Sequence, residues 1–370
     1  MTKITNLTQL SIPVISRLQD YIREQGYRVL IHFELEGCYQ KPDNTQLDYQ
    51  QVNKHLRAQH IDGEVVAEYW SKQWEYVSLF NGQSPLKEAH NLRLAMDLLP
   101  QLFSAQGVSK TLIKPVVWAG DNSRLASGSG HIFSTDKRAV HIPNAIQMNI
   151  SVQDLQGNNL MVASGLAERL QQTLLQTSLG CCLIYLPEEE AFERLALKKK
   201  YGLAAELCSP VDISGGHQGS VALYRDKGKH NQKMGVEPLI YDDKSNVVVS
   251  QDNWQKTARI EHRLGASSMC YSPYLNVIYA LLNVVDTIDG QQGGKPIAHG
   301  HYGELPSSLY DQKDSLGAIS LFKSNHWFTK AIDNVMASTD KQQQVLESPS
   351  IGQQIQCEYV KQFQRSELVF

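Results

Sequence analysis

Two carboxylates, Glu34 and Glu36, stand in the otherwise apolar run IHFELEGCYQ. Alternate side chains of a strand share a face, so this spacing aims both acids to one side. The stretch ARIEHRL repeats the device with Arg259, Glu261 and Arg263. Two more acids, Glu68 and Glu75, lie in AEYWSKQWEY, and His131 sits in the glycine loop GSGHIF. Each motif by itself also fits a cross-strand ladder of ion pairs. Together they shift the balance towards one shared site, in which two carboxylates about 4 Å apart would repel by about 4 kcal/mol at an effective dielectric of about 20. Acids crowded that closely must protonate or spread apart. Glu68 and Glu75 would face opposite sides of a straight strand, so they share a site only if the intervening YWSKQ stretch bends.

The elements that must position these residues alternate between helix and strand. Residues 8 to 26 have helical spacing and end at Gly26, and YRVLIHFELEGCY then alternates as a half-buried strand does. Residues 63 to 80 read as two strand pieces around a polar kink, and residues 88 to 107 as an amphipathic helix. Strand signals follow at KTLIKPVVWAG, AIQMNISVQD, ALYR, EPLIYDD, NVVVSQ and TARIEHRL. Helices are expected in GLAERLQQTLLQTSLG and EEEAFERLALKKKYG, and over 272 to 287, 306 to 322, 324 to 338 and 353 to 366. Neither a regular βαβ rhythm nor a G-x-G-x-x-G motif is present, so the expected class is α+β with a mainly antiparallel sheet. Trp70 and Trp74 read as packing material before they read as base-stacking groups.

Order and residue types together resemble the catalytic domain of the glutamine synthetase family, with its curved antiparallel sheet flanked by helices. FELE, AEYWSKQWEY, KPVVWAGDNSRLASGSGH, ARIEHRLGASSMCYSPYL, LPSSL and the closing CEYVKQFQRSE follow that family's order over about residues 29 to 368. The resemblance implies that Glu36, Glu68 and Glu75 hold one divalent cation and that Glu34, His131 and Glu261 hold another. It implies ATP and two or three Mg²⁺ or Mn²⁺ ions as cofactors, oxygen donors with one imidazole suiting those ions better than a closed zinc site. Arg259 would lie on the nucleotide, with Lys244, Lys256 or Arg225 standing in for the family's phosphate-binding arginines. Arg263 would meet the transferred phosphate or the substrate carboxylate, and Glu237, in KMGVEP, would take a proton from the attacking amine. The implied reaction is ATP-dependent joining of ammonia or an amine to the carboxylate of glutamate or a similar amino acid. For Arg259 and Arg263 the plainer reading is ion pairing with nearby glutamates.

The chain departs from that family in three places. The first is the glycine loop, where SRLAS is inserted ahead of it and residues are missing around His131. Only 33 residues precede Glu34, where the family carries a small β-grasp domain that completes the neighbouring subunit's site. The expectation is one catalytic domain over 1 to 370, with 1 to 28 a helical extension, and an oligomer, if one forms, unlike the family's shared-site ring. The phosphate-binding N-R-x-x-x-x-R stretch is also lost, since residues 238 to 258 contain no arginine. Retained acids favour a ligase; lost arginines favour a non-catalytic relative that binds metal or nucleotide.

A net charge of −3 with 20% charged residues gives no electrostatic footprint for nucleic acid. The one basic run, Lys198 to Lys200, closes an acidic-to-basic helix and reads as a solvated helix end. No apolar run is long enough for a membrane span and no secretory leader is apparent, so the expected address is cytoplasmic. The six cysteines show no C-x-x-C spacing and are expected to be buried thiols.

Overall fold

The longest strand, β1 (Tyr27–Gln40), organises the rest of the chain. In a computed structural model, residues 6–43, 45–68, 72–118, 141–162, 165–200, 208–211, 219–225, 238–241, 247–249, 257–292, 302–338 and 349–364 are described. Helix α1 (Asn6–Glu24) leads into β1 through Gly26, whose φ of 89° suits a residue without Cβ and ends the helix. β1 then pairs antiparallel with β7 (Ile146–Asp154) on one side and with β3 (Gln73–Ser78) and β4 (Lys110–Leu112) on the other. With β2 (Gly63–Ala67), β8 (Val221–Tyr224) and β11 (Arg259–His262), the sheet runs β2-β3-β1-β7-β11-β8. Every pairing is antiparallel, as the alternating sequence pattern requires.

Because Glu34 lies opposite Gln147 and Val77, and Glu261 opposite Asn149, the register fixes two faces. His32, Glu34, Glu36, Glu75, Asn149 and Glu261 share the front. The intervening residues Phe33, Leu35, Trp74, Tyr76 and Ile150 are fully buried on the back. Helices α1, α3 (Pro85–Ser104), α4 (Leu166–Ser178) and α7 (Pro273–Gln292) pack behind the sheet, α7 being apolar nearly all round. α3 opens on Ser84, whose hydroxyl accepts the Lys87 N–H, with Pro85 in the first turn. Trp74 lies edge-on to Phe103 of α3, a packing role in agreement with its reading as core; Trp70 lies outside the described residues.

Residues 63 to 80 form a hairpin of β2 and β3, so the expected kink is a full reversal. Lys72, at φ 64°, sits in that turn. α6 (Glu189–Lys200), α9 (His326–Ala337) and α10 (Ile351–Gln364) fall where expected.

Four expectations need correction. KTLIKPVVWAG is broken at Pro115: β4 joins β1, whereas β5 (Val116–Trp118) pairs with β6 (His141–Pro143) in a separate ribbon. The helix expected over 306 to 322 shrinks to α8 (Ala318–Lys323). Ahead of it the loop's polar groups are taken by side chains: Glu189 accepts from Ser308 and the Leu309 N–H, and Asp311 accepts from the Gly317 N–H. An additional helix, α2 (Tyr49–Ala58), is capped by Asp48. Finally, four cysteines are buried, but Cys270 and Cys357 are exposed, and none is in a disulfide.

Candidate active site

The front face of β1, β7 and β11 carries a continuous chain of polar contacts. Asn149, at the centre of the sheet, donates its amide to Glu34 Oε1 at 2.8 Å and accepts from Arg259 Nε at 2.6 Å. Arg259 in turn reaches Glu261 Oε2 at 2.9 Å, and Arg263 Nε lies 3.2 Å from Glu261 Oε1. The Arg259 guanidinium stacks on the Tyr224 ring, 4.7 Å from its centroid. Glu261 is thus held between two arginines, while Glu34, among the described residues, is fixed by a neutral amide.

Electrostatics follow from that asymmetry. Burial, reinforced by the Glu261 charge, pushes the Glu34 carboxyl up to about 7; Arg259 and the Asn149 bond oppose the shift without cancelling it. Burial also raises Glu36, although its Oε2 accepts the Ala145 N–H at 2.7 Å and cationic groups of Lys198, Arg194 and Arg263 lie near. Glu36 faces Glu75 directly across β1 and β3. Glu68 follows β2 and bonds through its N–H to the Gln73 carbonyl, which puts it on the same face as Glu75. The hairpin therefore reconciles the spacing of these acids, which no straight strand could do.

Behind Glu36 stands a cationic pair that sequence reasoning missed. Arg194 of α6 is 1% exposed, and none of its three guanidinium nitrogens has a hydrogen-bond partner among the described residues. Lys198, one turn on, is half-buried, with burial first and Arg194 second driving its ammonium down to about 7. The expected solvated helix end therefore holds for Lys199 and Lys200, which are exposed, but not for Lys198. The missed signal is Arg194's place one turn before Lys198, on the side of α6 that also buries Ala191 and Leu195. His32, two residues before Glu34, is a further buried group on this face; it lies against Phe80, and its Nε2 has no hydrogen-bond partner among the described residues.

The other sequence candidates are distributed as follows. Arg225 forms an ion pair with Glu168 at the start of α4. His131 and Glu237 lie outside the described residues. A divalent cation is the group this face would be expected to hold, and the donor chemistry fits it: carboxylate oxygens crowd onto one surface, and one is already driven towards protonation. Among the described residues, however, no three of the acids, histidines or cysteines converge closely enough to hold a metal ion.

No family profile matches the chain, and no curated protein matches it. Solved structures do. A "novel glutamine synthase homolog" is similar over 95% of this chain and 74% of its own, at 14% identity and a TM-score of 0.54. "Apo GmaS without ligand" is similar over 96% and 74%, at 13% identity and a TM-score of 0.55. "GmaS/ADP complex-Conformation 1" is similar over the same shares, at 13% identity and 0.54. The fold is therefore α+β and glutamine synthetase-like, as the ordered motifs implied. Among the described residues no helix is long and apolar enough to cross a membrane.

Proposed function

We propose that this chain is an ATP-dependent carboxylate–amine ligase acting on glutamate or a similar amino acid. The observation that carries the reading is the front-face network in which Glu34, Asn149, Arg259, Glu261 and Arg263 are joined across three strands on a glutamine synthetase-like scaffold. One of the solved neighbours is named as an ADP complex, which supports nucleotide use here.

In this reading Glu34, His131 and Glu261 would hold one divalent cation, and Glu36, Glu68 and Glu75 another once they draw closer together than they stand in this structure. Bound there, Mg²⁺ or Mn²⁺ would offset carboxylate repulsion and neutralise phosphate charge. The substrate carboxylate oxygen attacks the terminal phosphorus of ATP, forming an acyl phosphate and releasing ADP. The amine then attacks the acyl carbon, phosphate departs, and Glu237 takes the amine's proton. Arg259 and Arg225 would face the nucleotide, and Arg263 the transferred phosphate or the substrate carboxylate. Arg194 adds a buried cation near Glu36 whose guanidinium has no hydrogen-bond partner among the described residues; a ligand carboxylate or phosphate would supply one. The functional unit is one catalytic domain with a helical extension at its start, working in the cytoplasm on small molecules. Any homo-oligomer would differ from a ring with shared sites.

The second reading, a non-catalytic nucleotide- or metal-binding relative, is favoured by one observation: Arg259 and Arg263 already neutralise Glu261 from within the chain. ADP release measured over a panel of amino acids, with hydroxylamine as a trapping amine, separates the two. Release that requires both substrates and yields a hydroxamate supports the ligase. Nucleotide binding without turnover supports the relative, and ADP release with a stable phosphorylated product indicates a kinase.

A further inference from the structure

Behind the catalytic face, under the same two strands, lies a second cluster of buried polar groups. Glu88 projects from the first turns of α3 and is wholly buried, as are Tyr76 of β3 and Asn91 of α3. Its Oε2 accepts from Gln83 Nε2 at 2.8 Å and from Asn91 Nδ2 at 3.4 Å. Among the described residues its Oε1 has no hydrogen-bond partner, and neither does the Tyr76 hydroxyl. Gln83 is held on its other side by the Leu79 carbonyl, and Asn91 by Asp62, so both amides are fixed as donors towards Glu88.

Ser78 supplies the decisive constraint. Its Oγ accepts the Phe33 N–H at 2.8 Å and donates to the Phe33 carbonyl at 3.1 Å, fastening β3 to β1 one residue before Glu34. The Glu88 and Tyr76 side chains both come within reach of that hydroxyl. A serine hydroxyl has one proton and two lone pairs. With its proton given to Phe33 and one lone pair taken by the Phe33 N–H, Ser78 offers neighbouring groups no donor, so nothing among the described residues on this side of the cluster satisfies Glu88 Oε1 as an ionised oxygen.

We propose that Glu88, wholly buried with one oxygen unsatisfied, is held as a neutral carboxylic acid in the folded protein, which makes the junction of α3 with the β1–β3 pair beneath the catalytic face pH-sensitive. The charged and titratable groups around it agree. Asp62, before β2, bears on it as a like charge, and Tyr76 is neutral, its own proton held by burial. Lys87, on the neighbouring position of α3, is turned to Asp62 and the His60 carbonyl and does not reach Glu88. Burial is the main influence on the carboxyl, which is raised to about 7 from an ordinary 4.5.

The sign follows from linkage. An acid that binds its proton more tightly when folded stabilises the protein fully below its unfolded value, and that contribution is lost as pH rises through the folded value. For Glu88 the window runs from 4.5 to about 7. Within it, the folding equilibrium loses up to about tenfold per pH unit from this group alone.

The test uses the whole chain with glutamate ¹³C-labelled at the side-chain carboxyl. Comparison with Glu88→Gln assigns the Glu88 signal, which is expected to titrate near neutrality while exposed glutamates titrate in the ordinary acid range. Urea denaturation across the same pH series is expected to give a steeper fall for wild type than for Glu88→Gln, which keeps the shape and supplies a permanent donor. If the variant does not fold, Tyr76→Phe identifies the signal instead, because deleting the nearby hydroxyl shifts only that carboxyl. A Glu88 signal titrating near 4.5, or identical pH slopes for wild type and variant, would overturn the proposal.

Discussion

The two faces of the central sheet meet the same problem, polar groups removed from water, and resolve it differently. On the back of β11, His262 contacts the Ser178 hydroxyl at 3.3 Å and packs edge-on to Tyr185 and Tyr279. Burial holds it neutral, with its pKa down to about 3, so no charge is left to compensate. One residue earlier, Glu261 faces front and keeps its charge between two arginines, and that charge helps to drive Glu34 up to about 7. Around His262 the back face closes its polar groups with neutral partners and becomes core. The front face leaves an excess of charge that the chain only partly offsets, and that residue of imbalance is what a ligand can use.

Substitutions on adjacent residues of β1 should separate the faces most sharply. Phe33→Ala should cost about 3–5 kcal/mol in a chemical denaturation curve, because it empties a fully buried site. Its neighbour Glu34→Gln should leave that curve unchanged or shifted to higher denaturant, since it removes a crowded carboxyl, while abolishing turnover. A large loss of stability in Glu34→Gln would mean that the front face is structural. Arg259→Ala, which leaves Glu261 with Arg263 alone and opens the Asn149 bond, should cost up to about 3–5 kcal/mol as the broken half of a buried pair.

Asn149→Ala tests the joint between strands: it removes the only neutral donor to Glu34 among the described contacts and should cost about 1–3 kcal/mol. The exposed Lys361 to Glu358 pair sets the lower end, and Lys361→Ala should move the melting temperature by no more than the equivalent of about 0–1 kcal/mol.

Much of this contrast was legible in the sequence. The alternation of FELE and RIEHR named the front-face acids and arginines, and the apolar residues between them named the back, because a strand's period is fixed by geometry. Register was not legible. Asn149 carries no charge and sits in an ordinary alternating strand, so nothing in AIQMNISVQD marks it as the bridge between Glu34 and Arg259. Arg194 and Lys198 were hidden in a helix whose charge order satisfied a dipole argument, and only packing shows that one side of that order is buried. The over-long helix expected at 306 to 322 failed because its opening segment bonds to Glu189 and Asp311 instead of to itself.

Calorimetric titration of Mn²⁺ into wild type, Glu34→Gln and Glu261→Gln bears most directly on the front face. The charge imbalance described here requires that wild type bind the ion and that each variant bind it at least about tenfold more weakly, a loss of about 1.4 kcal/mol. Equal affinity in all three proteins would show that these carboxylates are not gathered for a cation, and the ligase reading would fall with them.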